Sequence, residues 1–426
     1  MTKYVIVGAC AAGIGAIEAI REFDKKGEIT VISEEQCSHY SRPMISDFVS
    51  GKADLNKMKT RDDQFWKENS VINLAGKKAI SLNLAERSVS LDSGEKVVFE
   101  KLLIATGGKP FVPKMEGQDK EGVYTFTNIS DAEKLAQKIT TSKPKSAVVI
   151  GAGLIGISVT DGLLKRGVKV TIVELQDKIL SLLLDPTASD ILEVVVKKAG
   201  VNIITGQSVQ KITGKSDNDK IVGGVTLTRG DEIPCDMVIV AIGVIPRTEL
   251  VAGTAVKTNR GIVVDNYMQT NVQDVFASGD VAEAYDFLLK QNRLLPLWPL
   301  AVQEGKVAGY NMAGKKTEYR GGTNMSSLKY FGIPIISIGL ANPKEDPTLE
   351  ILITHDKEKG VYKKLVLKEN ILVGMTFLND IERAGILLYL IKNHINVKSF
   401  KRELLSDTFS LASLPLELRK EMKLEE

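Results

Sequence analysis

Two glycine-rich segments, residues 8–13 and 151–156, have the composition and spacing that bind the pyrophosphate of a dinucleotide. Each follows an apolar stretch predicted as a β-strand and precedes a predicted helix and a second strand that ends at an acid, Glu34 or Glu174. Glycines let the backbone approach the phosphates, the helix N-terminus offers free N–H groups, and the acid accepts hydrogen bonds from ribose hydroxyls. The sequence therefore predicts two nucleotide sites in one chain.

The two segments differ at their middle position. All three glycines are present in the second, whereas Cys10 replaces the middle glycine of the first, and its side chain crowds the closest approach to a phosphate. The candidate contact residues of the first segment are Gly8, Ala11, Ala12 and Gly13. Those of the second segment are Gly151, Gly153, Leu154, Ile155 and Gly156.

The repetition continues beyond the glycine-rich segments. After each acid come short alternating stretches that predict small strands, then an apolar strand that closes on a glycine. Residues 102–105 lead into Thr106 and Gly107 in the first half, and residues 237–241 lead into Gly243 in the second. Two copies of one α/β nucleotide-binding module explain this pattern.

Composition agrees with a globular protein of two or three domains. The chain has 426 residues, of which 43% are apolar and 26% charged, and its net charge of +3 gives no reason to expect nucleic acid as a partner. The first strand starts at Tyr4, which leaves no room for a signal peptide, and no apolar run is long enough to span a membrane. We expect a soluble cytoplasmic protein with a solvated helix of mixed charge over residues 417–426.

Cysteine and histidine are too few for a disulfide framework or a local metal site. Cys10, Cys37 and Cys235 lie far apart in the sequence, with no C-x-x-C pair, and only three histidines occur. His39 is expected to be a partly exposed loop residue. No metal is predicted.

Three further segments carry a family resemblance. They are residues 40–46 (YSRPMIS), residues 105–107 (ATG) and residues 275–282 (VFASGDVA). Together with the two glycine-rich segments, they resemble the FAD-dependent pyridine nucleotide-disulfide oxidoreductase superfamily over almost the whole chain. Within it, the sequence is similar to the thiol-free branch of NADH:rubredoxin reductases, flavin parts of NADH-dependent nitrite reductases and NADH-acceptor subunits.

The resemblance assigns the first site to FAD. It implies that Glu34 and the first glycine-rich segment hold the pyrophosphate and adenosine ribose, that Arg42 and Pro43 run alongside the flavin, and that Asp280 binds the ribityl chain, with Gly279 allowing close approach. A helix beginning near Trp298 is implied to point its N-terminus at the flavin pyrimidine ring. The remaining FAD candidates are Ala79, Ala105, Thr106 and Gly107.

The second site is implied to hold the nicotinamide nucleotide. Residues 175–178 after Glu174 contain no arginine for a 2′-phosphate, so NADH is favoured over NADPH. Gly243 is a further candidate of this site. Ser158 departs from the pattern, because many relatives carry there a glutamate that orders the nicotinamide side of the flavin.

The position of the thiols determines the predicted electron route. In thiol-dependent relatives one or two cysteines flank the flavin near the stretch that here contains Arg42 and Pro43, whereas Cys37 lies upstream in a predicted loop. We therefore expect no catalytic side chain, and electrons that pass from NADH through FAD to a protein iron site or a partner subunit. The alternatives are a single-cysteine NADH oxidase, peroxidase or CoA-disulfide-type reductase that uses Cys37, and a flavoprotein redox sensor or interaction module.

The predicted fold class is α/β, with two Rossmann-like domains, the second inserted in the first, and a C-terminal α+β interface domain. The predicted boundaries are 1–111 with 244–318 for FAD, 112–243 for NAD and 319–426 for the C-terminal domain. That last domain is expected to mediate a homodimer or assembly into a larger complex, the alternative being a lid or acceptor-docking domain without self-association.

Overall fold

The computed structural model describes residues 1–37 and 39–422. The chain divides into two compact units. Unit 1 consists of Met1–Pro113, Thr125–Lys143 and Gly243–Thr323, and unit 2 of Lys114–Tyr124, Pro144–Ile242 and Asn324–Glu426. The predicted insertion of one part of the chain into another is therefore present.

Helices alternate with strands over residues 3–33 and 129–204, and consecutive strands make up most of the rest of the chain. Up to residue 143 they are β1 (Lys3–Val7), α1 (Ala11–Phe23), β2 (Glu28–Ser33), α2 (Ile45–Ser50), α3 (Leu55–Met58), α4 (Phe65–Glu68), β3 (Val71–Ala75), β4 (Ala79–Asn83), β5 (Ser88–Leu91), β6 (Lys96–Val98), β7 (Lys101–Ile104), β8 (Gly108–Pro110), β9 (Val123–Thr125) and α5 (Ile129–Ser142). From residue 144 to 323 they are β10 (Ser146–Ile150), α6 (Leu154–Lys165), β11 (Lys169–Val173), α7 (Pro186–Lys198), β12 (Asn202–Ile204), β13 (Val209–Gly214), β14 (Val222–Leu227), β15 (Glu232–Pro234), β16 (Met237–Val240), β17 (Val244–Pro246), β18 (Ile262–Val263), β19 (Val275–Ala277), β20 (Ala282–Asp286), β21 (Gln291–Leu294) and α8 (Trp298–Met312). The last are β22 (Met325–Tyr330), β23 (Ile333–Gly339), β24 (Leu349–Asp356), β25 (Val361–Lys368), β26 (Ile371–Leu378), α9 (Ala384–Lys392) and α10 (Leu416–Glu421).

Unit 1 is built on a parallel five-stranded sheet in the order β19-β7-β1-β2-β3. Its central strands are almost wholly apolar and buried, as expected for a parallel sheet covered on both faces. Helices α1 and α8 pack so closely that a Cβ at Gly305 would lie 2.0 Å from the carbonyl oxygen of Ala12, and one at Gly309 would lie 2.5 Å from that of Ala16. The small residues of α8 therefore set the distance between these helices.

Unit 2 contains two larger sheets. Strands β12, β11, β10 and β16 are parallel neighbours, and β9 completes the order β12-β11-β10-β16-β9. Strands β22 to β26 form an antiparallel sheet in the order β22-β23-β26-β25-β24. The α/β fold class with an added C-terminal domain is thus confirmed.

Most predicted elements are present with small shifts at their ends. The helix predicted after residues 8–13 is α1, and the strand predicted over residues 237–241 is β16. The helices α5 and α7 were not predicted. The structure places Thr125–Lys143 in unit 1, and the division into three domains stays a prediction. Of the predicted helix 417–426, α10 accounts for the first part, and residues 423–426 lie outside the described residues.

No helix of residues 1–37 and 39–422 is long and apolar enough to cross a membrane.

A buried ion pair lies inside unit 2. Asp185 begins α7, where its side chain accepts a hydrogen bond from the N–H of Ala188 at 3.0 Å. The same carboxylate accepts from the hydroxyl of Tyr362 at 2.7 Å and lies 3.0 Å from the ammonium of Lys364. All three of Asp185, Tyr362 and Lys364 are at most 5% exposed. Loss of the carboxylate would leave a buried ammonium without its counter-ion.

We predict that Asp185→Ala lowers the free energy of unfolding by about 3–5 kcal/mol, because it strands a buried charge and removes a helix cap. The matched control is Asp190→Ala in the same helix, which removes an exposed pair with Lys178 and should cost less than about 1 kcal/mol. Urea unfolding followed by circular dichroism measures both. Equal shifts of the two midpoints would contradict the prediction.

Candidate functional site

The first glycine-rich loop leaves no space for side chains at two positions. Gly8 has φ of +116°, and a Cβ there would lie 2.0 Å from the carbonyl oxygen of Ala105. A Cβ at Gly13 would lie 2.0 Å from the carbonyl oxygen of Gly8. Both positions therefore require glycine, and together they turn the chain from β1 directly into α1.

The N-terminus of α1 is open. Its cap residue Cys10 has extended backbone angles, so a side chain is accommodated there without left-handed strain, and it makes no side-chain capping bond. The first turn of α1 contains no acid. By contrast, the side chains of Asn128 and Asp185 cap α5 and α7. The first N–H groups and the positive end of the α1 dipole are thus left for an anion.

The acid after β2 has two cationic neighbours. The carboxylate of Glu34 accepts a hydrogen bond from Arg247 at 2.5 Å and lies 3.6 Å from the ammonium of Lys78. Burial acts to raise the pKa of Glu34, but Arg247 and Lys78 hold it below its ordinary value. Ala79 follows Lys78 at the start of β4. Glu34 is therefore a carboxylate, and it follows β2 directly, as the prediction of a ribose contact requires.

Arg42 forms a network with residues of three other segments. Its guanidinium donates to the sulfur of Cys10 at 3.3 Å and to the carbonyl oxygen of Thr127 at 3.0 Å, and it pairs with the carboxylate of Glu35. The other oxygen of Glu35 accepts from the hydroxyl of Tyr40 at 2.7 Å. Arg42 and Pro43 lie in a single 3-10 turn, which this network fixes beside the glycine-rich loop.

The segment after β19 contains buried polar groups. Gly279 has φ of +76°, and among the described residues the buried hydroxyl of Ser278 has no hydrogen-bond partner. Desolvation raises the pKa of Asp280, and the positive charge of Arg42 acts in the opposite direction. The N–H of Gly279 donates to the carboxyl group of Glu304 at 2.8 Å. These groups form a small polar cluster inside unit 1.

One edge of the unit 1 sheet brings the FAD candidates together. Because parallel strands end at the same edge, the loop after β1, Glu34 after β2, the residues after β7 and the turn after β19 all lie there. The residues after β7 are Ala105, Thr106 and Gly107, and a Cβ at Gly107 would meet no described atom within 4 Å. Trp298 begins α8 and packs partly against the core of unit 1.

The second loop has the same geometry in unit 2. Gly151 has φ of +100°, and a Cβ at Gly156 would lie 1.9 Å from the carbonyl oxygen of Gly151. Gly153 caps α6, and a Cβ there would meet no described atom within 4 Å, so the space before the helix is open. Leu154 and Ile155 form the first turn of α6.

Glu174 accepts hydrogen bonds from the glycine-rich loop and from the backbone that follows it. Its carboxylate accepts from the N–H of Ala152 at 2.6 Å and from the N–H of Gln176 at 2.8 Å. Gly243, with φ of +117°, is the first residue of the third segment of unit 1. The hydroxyl of Tyr330 donates to the carbonyl oxygen of Leu154 at 3.3 Å, in the first turn of the helix that carries Ser158.

Cys37 lies beside His39 and not beside Arg42. Its sulfur is 3.9 Å from Nδ1 of His39, whose Nε2 is 3.3 Å from the carboxylate of Asp63. The expectation of a partly exposed His39 is wrong, since His39 is 6% exposed and packs edge-on against Trp66. Burial raises the pKa of Cys37 and lowers that of His39, so neither group favours a thiolate–imidazolium pair.

Residues 1–37 and 39–422 contain no cluster of three or more His, Cys, Asp or Glu side chains that would hold a metal.

The comparisons with known proteins identify the family. Residues 2–305 match the family described as pyridine nucleotide-disulphide oxidoreductase, and residues 325–395 match the C-terminal domain of rubredoxin NAD+ reductase. The chain belongs to the pyridine nucleotide-disulphide oxidoreductase family. It is an NADH-dependent flavoprotein oxidoreductase whose cofactors are FAD and NADH.

Three proteins illustrate the relationship. The oxidoreductase is 33% identical over 393 residues to the epsilon subunit of NADH-dependent phenylglyoxylate dehydrogenase from Aromatoleum evansii, which covers 92% of this chain and 91% of the relative. It is 30% identical over 398 residues to NAD(P)H nitrite reductase from Bacillus subtilis, covering 93% of this chain but only 48% of that relative. The crystal structure of NADH:rubredoxin oxidoreductase from Clostridium acetobutylicum is 26% identical with a TM-score of 0.76, covering 97% and 98% of the two chains.

The residues of unit 1 fit FAD. The cradle between Gly8 and Gly13 excludes side chains, the α1 N-terminus is open, and the buried Ser278 hydroxyl has no partner among the described residues. Three residues near this site were not identified from the sequence, namely Glu35, Arg247 and Glu304. Arg247 and Glu304 act through contacts between segments distant in sequence. Glu35 pairs with Tyr40 and Arg42 nearby in the sequence, and only its position next to Glu34 gave any signal.

We predict that Asp280→Ala lowers the FAD content of the purified oxidoreductase and weakens FAD binding at least about tenfold, because a hydrogen bond to a charged group contributes about 1.5–3 kcal/mol. Flavin absorbance per chain and titration of the apoprotein with FAD measure this. Asp119→Ala on the exposed surface of unit 2 is the control and should keep FAD. Full FAD occupancy in Asp280→Ala would remove Asp280 from the site.

Proposed function

We propose that this oxidoreductase passes electrons from NADH through FAD to a protein iron site, either a small redox protein or an iron-containing partner subunit. The observation that carries the proposal is the combination of two matches in one chain. Residues 2–305 match the pyridine nucleotide-disulphide oxidoreductase family, and residues 325–395 match the rubredoxin NAD+ reductase C-terminal domain. The flavin supplies hydride acceptance and electron transfer when bound. The side chains of this protein bind, orient and shield the cofactors.

Different residues of unit 1 are proposed to bind different parts of FAD. The loop at Gly8 and Gly13 with the α1 N-terminus takes the pyrophosphate, and Glu34 takes the adenosine ribose. Asp280 takes the ribityl chain. Arg42 lies at the flavin side, where hydrogen bonds to Cys10 and Thr127 and an ion pair with Glu35 fix the position of its guanidinium.

The residues of unit 2 are proposed to hold NADH. The open N-terminus of α6 with Gly151, Gly153 and Gly156 takes the pyrophosphate. The carboxylate of Glu174 is oriented by two backbone N–H groups, that of Ala152 in the glycine-rich loop and that of Gln176 after β11. A second negative group such as a 2′-phosphate would be repelled there.

The nature of the partner is also part of the proposal. One relative is a subunit of a dehydrogenase, and the matching C-terminal domain is that of a rubredoxin reductase. A homodimer or a place in a larger complex, and a cytoplasmic location, stay predictions.

We predict that NADH reduces the flavin with kcat/KM at least about tenfold higher than NADPH, because about 1.4 kcal/mol of discrimination gives that ratio and a carboxylate facing a phosphate supplies it. Glu174→Arg should narrow or reverse the preference. The control is Glu232→Arg, an exposed substitution in β15 of the same unit. Equal efficiencies for the two nucleotides in the unmodified protein would refute the assignment.

We predict that no thiol takes part in electron transfer, because burial raises the pKa of Cys37 and its sulfur lies toward His39. The protein should accept two electrons per FAD from NADH, with an unchanged number of titratable thiols. Rapid mixing of the NADH-reduced protein with rubredoxin, ferredoxin, oxygen and a disulfide should show fastest transfer to an iron protein, at the same rate in Cys37→Ser.

The alternative, a single-cysteine oxidase or reductase, has one observation in its favour, the 3.9 Å approach of Cys37 to His39. It requires the opposite outcome of the same experiment. A long-wavelength thiolate band on reduction that disappears in Cys37→Ser, together with lost turnover, would establish it. A redox sensor would instead remain reduced and transfer electrons slowly to every acceptor.

A further inference from the structure

A buried glutamate lies behind the polar turn of the FAD site. Glu304 is on α8, at the point where this helix packs against α1, and is 2% exposed. The next residue, Gly305, is in such close contact with Ala12 that a Cβ would lie 2.0 Å from its carbonyl oxygen. Glu304 is therefore buried beside a tight contact between the two helices.

Both oxygens of Glu304 accept hydrogen bonds. One accepts from the N–H of Gly279 at 2.8 Å, and the other accepts from the hydroxyl of Tyr319 at 3.4 Å. Gly279 is buried with a left-handed backbone, and a Cβ there would lie 3.3 Å from that of Ala12. The carboxyl group thus satisfies a buried N–H that the turn would otherwise leave unpaired, which would cost about 1–3 kcal/mol.

Among the described residues, no cation pairs with Glu304. On the turn it faces Asp280, another acid. After α8 it faces Tyr319, whose pKa is raised in part by the negative charge of Asp286. The nearest base in sequence, Lys306, is directed toward Glu18 on α1 at 3.8 Å. Burial, together with Asp280, raises the pKa of Glu304 to about 8, although the Gly279 N–H and Tyr319 act to lower it.

We propose that Glu304 is a positioning residue for FAD that holds the Gly279–Asp280 turn and takes up a proton when the flavin is reduced. The proposal rests on the assignment of Gly279 and Asp280 to FAD. Electrons that enter a site beside a buried carboxyl group add negative charge, which strengthens proton binding by that group. The proton comes from solvent, the electrons come from NADH, and the carboxylate becomes a neutral carboxyl group that still accepts from Gly279.

This linkage makes the flavin midpoint potential depend on pH in a specific way. Well below the pKa of Glu304 the group is protonated in both redox states, and well above the pKa of the reduced state it is ionised in both. Between the two values reduction binds an extra proton, so the potential falls more steeply with rising pH there. The steeper region should begin near pH 8.

The test compares Glu304→Gln with the unmodified holoprotein by spectroelectrochemical titration from pH 6.5 to 10. Glutamine keeps an acceptor for Gly279 but cannot ionise, so the variant should bind one FAD per chain and lose the steeper region. Glu304→Ala should weaken FAD binding at least about tenfold. The matched control is Glu283→Gln, a buried glutamate that also accepts from a glycine N–H, that of Gly261 at 2.7 Å, and it should keep the steeper region.

Two further measurements keep the proposal testable if Glu304→Gln does not fold. Tyr319→Phe removes a hydrogen bond that lowers the pKa of Glu304, so the steeper region should move to higher pH. The reduced-minus-oxidised infrared spectrum of the unmodified protein near pH 8 should show one additional protonated carboxyl group.

An unchanged potential–pH curve in Glu304→Gln, or in Tyr319→Phe together with no infrared carboxyl change, would overturn the proposal. So would Glu304→Ala binding FAD as tightly as the unmodified protein. Failure of the underlying site assignment is distinguished by Asp280→Ala. If that variant loses FAD while the Glu304 variants behave as the unmodified protein, the FAD site stands and only the role of Glu304 is wrong.

Discussion

In each of the two glycine-rich loops, one glycine packs directly against the backbone of another. The space at Gly13 is closed by the carbonyl oxygen of Gly8, and the space at Gly156 by that of Gly151. Because no side chain fits, the strand passes directly into the helix, and the helix N-terminus points at the carboxyl edge of the sheet. The residues proposed to contact FAD after β2, β7 and β19 lie at the same edge.

A second constraint is the charge balance of the FAD site. Arg42 is the cation that pairs with Glu35 and acts on Asp280, while Glu304 lies behind the turn without a cation of its own among the described residues. A site with more buried carboxyl groups than guanidinium groups resists further negative charge unless a proton enters with it. Burial of Glu304 therefore couples the packing of α8 on α1 to the chemistry expected at the sheet edge.

Local sequence patterns predicted the parts of the molecule that local interactions determine. Apolar stretches followed by glycine identified β1, β7, β10 and β16, since a buried parallel strand has no polar alternation to obscure it. Contacts between distant segments were not predictable. Arg247 donates to Glu34, although the two residues are 213 positions apart in the sequence. The burial of His39 against Trp66 depends on α4, which has only four residues and weak periodicity. The helices α5 and α7 were not predicted, although Asn128 and Asp185 cap them. A single cap residue is a weak signal when no repeated nucleotide-binding pattern lies beside it.

The two glycine-rich loops have the same backbone geometry, but the acids associated with them, Glu34 and Glu174, have different partners. Glu34 is balanced by the side chains of Arg247 and Lys78, so its negative charge is largely compensated before any cofactor is bound. Glu174 is oriented by backbone N–H groups, which direct the carboxylate without adding a mobile cation. A compensated acid suits a cofactor that stays bound, since neither partner need be released to solvent. Glu174 pairs with no cationic side chain among the described residues and is proposed to repel a 2′-phosphate. This suits a site that must select one nucleotide each time it is refilled.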